Sequence, residues 1–89
     1  MKFDWNPVKN ELLKLERGVS FDDVVLAIHT GRILDDIEHP NPRKYANQRV
    51  YIVEINEYAY IVPYIQSIQK VVFLKTLIPS RKMTKKYLA

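Results

Sequence analysis

Cysteine is absent from this 89-residue chain. With no thiol there is no disulfide framework and no thiolate zinc site, and two histidines, His29 and His39, are too few to build a metal cage alone. No metal or other cofactor is expected. Long apolar runs are missing as well. The opening MKFDWNPVKNE carries charges where a signal peptide needs about 7 to 15 apolar residues, and no later stretch approaches the roughly 20 needed to span a bilayer. A cytoplasmic protein with no membrane partner is the expectation. No repeat, low-complexity tract or linker divides the chain, and its length is too short for two cores, so 1–89 reads as one domain. The most telling absence is of acid: no Asp or Glu follows Glu57.

That absence shapes the charge. Residues 1 to 57 hold eight Lys/Arg against ten Asp/Glu, whereas the stretch from Tyr58 to Ala89 holds Lys70, Lys75, Arg81, Lys82, Lys85 and Lys86 and nothing to balance them. A field of one sign over a third of a small domain is the footprint of a polyanion-binding surface, for nucleic acid or an acidic protein, or else a solvated tail kept for solubility. What the chain has in plenty is apolar matter. It is 47% hydrophobic, with six Tyr, three Phe and one Trp, and its 27% of charged residues is ordinary for a folded protein.

Asn6 before Pro7 reads as a helix N-cap, since proline at the first helical position loses no needed N–H. Val8, Leu12 and Leu15 recur at near-helical spacing up to Gly18, a left-handed stop, so the first helix covers 7–17. Ser20 and Asp23 form an acidic capping box ahead of Phe21, Val24, Val25 and Ile28, which predicts a second helix over 21–30, closed by Gly31. Together with Leu12, that stripe is expected to lie buried against a sheet. Arg32 to Glu38 is the first expected strand, and residues 39–47, with two prolines and two asparagines, are a loop. Runs rich in Val, Ile, Tyr and Phe follow at Arg49 to Ile55, Tyr58 to Ile65 and Val71 to Ile78, joined by short polar turns. Both faces of these runs are apolar, so cover is expected on both sides. Ser80 opens a short last helix with Met83 and Tyr87 on its apolar face. The expectation is an α+β protein: two N-terminal helices packed on a four-stranded antiparallel sheet, with a short C-terminal helix.

Certain segments also resemble a known family. Phe3-Asp4-Trp5-Asn6-Pro7 with Lys9-Asn10, and then Glu16-Arg17-Gly18-Val19-Ser20-Phe21-Asp22-Asp23-Val24, resemble the opening of BrnT-type toxins of the RelE/ParE superfamily. Asp36 and His39 resemble that family's D-x-x-H, and Ile78-Pro79-Ser80-Arg81-Lys82 with Tyr87 its closing segment. Departures are Glu16-Arg17 where Lys-His is usual, Pro63-Tyr64 where many members carry an arginine, and Pro79 in the closing motif. The resemblance implies a RelE/ParE-like fold and the toxin half of a bacterial type II toxin–antitoxin pair. It further implies a metal-independent endoribonuclease cleaving mRNA, silenced by a cognate antitoxin of ribbon-helix-helix type, in a toxin–antitoxin heterotetramer. Two alternatives stay open: a ParE-like toxin that binds a protein target without cutting RNA, and an inactive RNA-binding or interaction module of the same fold.

In the implied reaction the 2′-hydroxyl of the RNA attacks its neighbouring phosphorus, so the protein supplies a base, a cation for the phosphorane and an acid for the leaving oxygen. Arg81 is the expected cation, because a guanidinium grips phosphate bidentately at a helix start; otherwise it is a surface arginine. Lys75, a charge inside an apolar strand, holds phosphate, acts as a base, or guards an edge. His39 is the loop's proton carrier, with Arg43 and Lys44 beside it for phosphate, or is simply exposed. Lys82, Lys85 and Lys86 extend the RNA-binding set along the last helix. Tyr58, Tyr60 and Tyr64 alternate on one strand face beside Tyr51, either stacking bases, with Tyr64 as the RNA contact, or packing beneath a helix. His29 is assigned to structure, and Glu54, as an isolated carboxylate, carries no assignment.

Overall fold

A computed structural model describes residues 1–89, and its first helix begins where Asn6 and Pro7 predict. Strand β1 (Lys2–Asp4) precedes α1 (Pro7–Arg17), α2 (Phe21–His29), β2 (Ile33–Glu38), β3 (Gln48–Ile55), β4 (Tyr58–Gln66), β5 (Val71–Leu74), β6 (Ile78–Pro79) and α3 (Arg81–Leu88). The Asn6 side chain accepts from the Val8 and Lys9 N–H groups at 2.9 and 3.2 Å. Gly18 ends α1 at φ 68°, donating its N–H to the Lys14 carbonyl. The capping box forms in full: the Ser20 N–H donates to the Asp23 carboxylate at 2.8 Å, and the Asp23 N–H donates back to the Ser20 hydroxyl at 3.3 Å.

Helix α2 docks as its spacing predicts, with Phe21, Val24 and Ala27 fully buried and Val25 and Ile28 packed against the same core. Burial of Phe21 alone is worth about 1.5 to 3 kcal/mol. Helix α1 does the opposite of the expectation. Leu12 is 49% and Leu15 84% exposed, and the face turned inward carries Leu13 and Asn10. A polar staple decides this. The Asn10 Oδ1 accepts the buried Phe21 N–H at 2.7 Å and its Nδ2 donates to Asp22 at 3.1 Å, so rotating the helix to bury Leu12 would strand that N–H without a partner.

Six strands form one mixed sheet, ordered β1-β5-β4-β3-β2 with β6 also on β4, in place of the expected four antiparallel strands. The meander β2 to β5 is antiparallel, but β1 adds in parallel beside β5. Three residues reading Lys-Phe-Asp give no strand signal of their own; Phe3 is held by the core and by an edge-on contact to His29 at 6.1 Å. The expected strand Val71 to Ile78 is broken in two. Tyr64 pairs with Leu74 but Ile61 with Ile78, so three residues, Lys75 to Leu77, stand opposite two, Val62 and Pro63. Pro63 has no N–H to offer on this side, although its carbonyl accepts from the Lys75 N–H at 2.8 Å. The extra residue is a bulge, and it lets Leu74 and Leu77, three apart rather than two, both reach the helix-pair core.

The sheet is covered on both faces. Tyr51, Val53, Ile55, Val62, Tyr64, Val72 and Leu74 face α1 and α2, whereas Val50, Ile52 and Ala59 face α3, where Met83, Tyr87 and Leu88 pack. Alternation is therefore invisible in the sequence of β3 and β4. Polar bonds register α3 on the sheet: the Thr84 hydroxyl accepts the Ala59 N–H at 2.9 Å, and the Tyr87 hydroxyl donates to Asp35 on β2. That bond, with a second from the Asp36 N–H, holds the Asp35 carboxyl below its ordinary range and raises the Tyr87 phenol. No helix is long and apolar enough to cross a membrane.

Candidate functional site

The loop between β2 and β3 is built on its asparagines. Asn41 accepts the Tyr45 N–H on its carbonyl at 3.0 Å and the Lys44 N–H on its side chain at 3.3 Å, and Asn47 adopts φ 65° before the chain enters β3. This geometry lays Tyr45 back over His39, ring centroids 4.4 Å apart, with the Lys44 ammonium 5.4 Å from the centre of the tyrosine ring. The Asn41 N–H donates to the His39 Nδ1 at 3.0 Å. In the neutral ring the proton accordingly resides on Nε2, which makes that nitrogen a hydrogen-bond donor.

Lys75 is not inside a strand, as its sequence neighbours imply, but at the head of the bulge and exposed. An open cleft of about 400 Å³ lies between the bulge and the loop, and Lys9, His39, Tyr45, Gln48, Lys75 and Thr76 supply its polar lining, with Pro63 and Ile78 as the apolar part. The lining holds two lysines and a histidine and no carboxylate. Positive charge without a neutralising partner, in a cleft with several hydrogen-bond donors, is an environment for a phosphate group.

His39 and Lys75 thus meet in one cleft. Arg81 does not line it; it is the first residue of α3, exposed, three positions after Ile78, which does line it. Ser80 caps that helix by accepting the Met83 N–H at 3.1 Å. Lys82, Lys85 and Lys86 are exposed on the same helix, and neither they nor Arg81 take part in an ion pair. Arg43 and Lys44 are exposed on the loop.

Tyr64 leaves the RNA-contacting set. It is 3% exposed, its ring is stacked on Tyr51 at 4.0 Å, and its hydroxyl donates to Asp36 at 2.8 Å, so it has no face to offer a base. Burial, and then the bond to Asp36, push its phenol far above the usual range. Arg49 completes this cluster with an Nε bond to the same carboxylate at 3.2 Å. The tyrosine face of β4 is the core face, with Tyr60 also packed there.

Sequence reading misses Lys9, Tyr45, Gln48 and Thr76. Tyr45 adjoins Lys44 in the loop already marked by His39, a usable signal. Lys9 enters only because β1 sets down the start of α1 next to β5, which no local pattern reports. No three His, Asp or Glu side chains converge anywhere in the structure. No protein-family model, no curated protein and no solved structure matches the chain.

Proposed function

We propose that this protein is an endoribonuclease of RelE/ParE-like fold, the toxin of a type II toxin–antitoxin pair, which cleaves RNA at the Lys9–His39–Lys75 cleft. The observation that carries the reading is the acid-free cleft: a proton carrier and two ammonium groups come together from a loop, a bulge and a helix distant in sequence. In the reaction the RNA supplies its own nucleophile: the 2′-hydroxyl passes its proton to water in the open cleft and bonds to the adjacent phosphorus, the P–O5′ bond breaks, and the leaving 5′-oxygen takes a proton from water, giving a 2′,3′-cyclic phosphate and a 5′-hydroxyl. Lys75 and Lys9 offset the charge that builds on the phosphorane, and the His39 Nε2 donates toward a phosphate or leaving oxygen. Arg81 holds a neighbouring phosphate bidentately at the start of α3. The unpaired lysines of α3 guide the strand in, and the antitoxin, of ribbon-helix-helix type and in a heterotetramer, silences the site by covering the same positive surface. The setting is the bacterial cytoplasm.

Incubation of the purified protein with RNA in EDTA tests this. Cleavage leaving 2′,3′-cyclic phosphate ends is expected, with Lys75→Ala and His39→Ala each slowed by roughly 10²-fold or more while remaining folded. Intact RNA in the presence of folded protein would favour the alternative of a toxin that only binds its target.

A further inference from the structure

Helix α3 covers only part of its face of the sheet. It lies over Val50, Ile52 and Ala59, and its neighbours there are Leu34, Ile37 and Ile61. Register places Phe73 of β5 directly opposite Ile65 of β4, and Ile65 opposite Gln48 of β3. Val71 and Pro63, two residues from Phe73 and Ile65, share that face. Val71, Phe73, Ile65 and Pro63 are all partly exposed and belong to neither core cluster. An apolar strip left partly open, on a sheet face that α3 covers only in part, is a surface a partner can use.

Two features say which partner. The Lys75 ammonium stands over the Phe73 ring, 5.8 Å from its centroid, so one π-face of the ring is covered by an exposed, flexible cation. Lys75, Pro63 and Gln48 also line the cleft, so the ring face adjoins it, with Lys75 shared between the two. The acid beside Phe73 on the next strand, Asp4, turns its Oδ1 back to accept its own chain's Trp5 N–H at 2.8 Å. Partly open, bordered by a cation and continuous with an acid-free cleft, the strip suits a planar group joined to an anion better than the apolar ridge of a helix.

We propose that Phe73 is the stacking platform for one unpaired base of single-stranded RNA, placing the phosphate next to that base in the cleft. This rests on the RNA-cleaving reading given above. The base takes the place of the Lys75 ammonium over the ring, and the ammonium moves to the phosphate alongside. Phe73 is then a positioning residue that makes the site selective for unpaired RNA, since a base held in a duplex cannot lie flat on the sheet.

The test is binding of a short labelled 2′-O-methyl oligoribonucleotide, which lacks the nucleophile and stays uncut, followed by fluorescence anisotropy. Phe73→Leu, which preserves bulk at a partly exposed position, is expected to weaken binding by roughly 5- to 100-fold, and Phe73→Tyr to restore it. One abasic position in the strand should give the same loss to the wild type and none further to Phe73→Leu, a coupling that a merely structural role would not produce. Equal affinity of Phe73→Leu and wild type, or additive losses, would overturn the proposal. So would a wild-type protein that ignores the oligonucleotide yet binds an acidic amphipathic peptide through this strip. Binding that depends on Phe73 without cleavage of ordinary RNA would leave the platform standing and refute the nuclease.

Discussion

Asn10 shows how one polar side chain sets the orientation of a helix. It is 5% exposed in a protein whose other buried residues are apolar apart from Ser20, and both ends of its amide are used, on Phe21 and Asp22. Asn10→Ala is expected to cost about 1 to 3 kcal/mol, because the Phe21 N–H is left buried and unpaired. Asn10→Asp, which keeps the accepting oxygen but sets a second carboxylate against Asp22 at a buried position, should cost at least as much at neutral pH; urea titration of the two variants measures both. Tyr87 and Asp35 make a second residue-scale case, linked to pH. The Asp35 carboxyl titrates below its ordinary 3.8 in the folded state, so the bond stabilises above the unfolded value and is lost as pH falls through the depressed folded value. The stability difference between wild type and Tyr87→Phe should therefore be constant above about pH 5 and shrink toward zero in stronger acid. A difference that grows with acid would refute the linkage.

At the scale of elements, the hairpin of β3 and β4 holds the sheet together, and its turn is strained. Ile55 pairs with Tyr58 across a two-residue turn in which Asn56 and Glu57 have φ of 54° and 63°. Both central residues are left-handed, the arrangement that matches the twist of the strands, and asparagine suits the first position well. Glutamate does not suit the second, where glycine avoids a Cβ penalty of about 1 to 2 kcal/mol. Part of that gain is offset by the greater freedom of glycine in the unfolded chain. Glu57→Gly is thus expected to stabilise by about 0.5 to 1 kcal/mol, or a rise of a few degrees in Tm by calorimetry. The bulge after β5 is the other element that matters. It is where Leu77 gains the core, where the Arg17 guanidinium bonds the Leu77 carbonyl at 3.2 Å, and where Lys75 is released to the cleft.

Over the whole molecule, ion pairing follows the division of charge along the chain. All three ion pairs, Lys14 with Glu11, Lys14 with Asp22 and Arg49 with Asp36, lie in the first part of the chain, and none of the six cations after Tyr58 has an anionic partner. If the α3 lysines guide RNA, replacing Lys82, Lys85 and Lys86 by Gln should weaken binding and lower the log–log salt slope by up to about two units, at roughly 0.7 per phosphate contact for single strands. A salt titration with an unchanged slope would reduce these lysines to a solvated face. Folding should tolerate the triple change, because all three are exposed.

How far the sequence reaches follows from the range of the forces involved. The starts and stops of α1 and α2, the meander from β2 to β4 and the Ser80 cap of α3 were legible, since each rests on dihedral preferences or bonds closed within a few residues, as at Asn6, Gly18 and Ser20 with Asp23. His39 and Lys75 were legible as chemistry, being a proton carrier in a loop and a charge among apolar neighbours. Their meeting was not. That depends on Pro63 withholding an N–H from the strand beside it, on β1 pairing with β5 from the far end of the chain, and on the loop that folds Tyr45 over His39. Which face of α1 is buried and which face of β4 carries Tyr64 inward were likewise tertiary decisions. Hydrophobic periodicity marks the apolar positions, but where both sides of a sheet are covered, and a buried Asn10 outweighs Leu12, only the packed structure determines which of them reach the core.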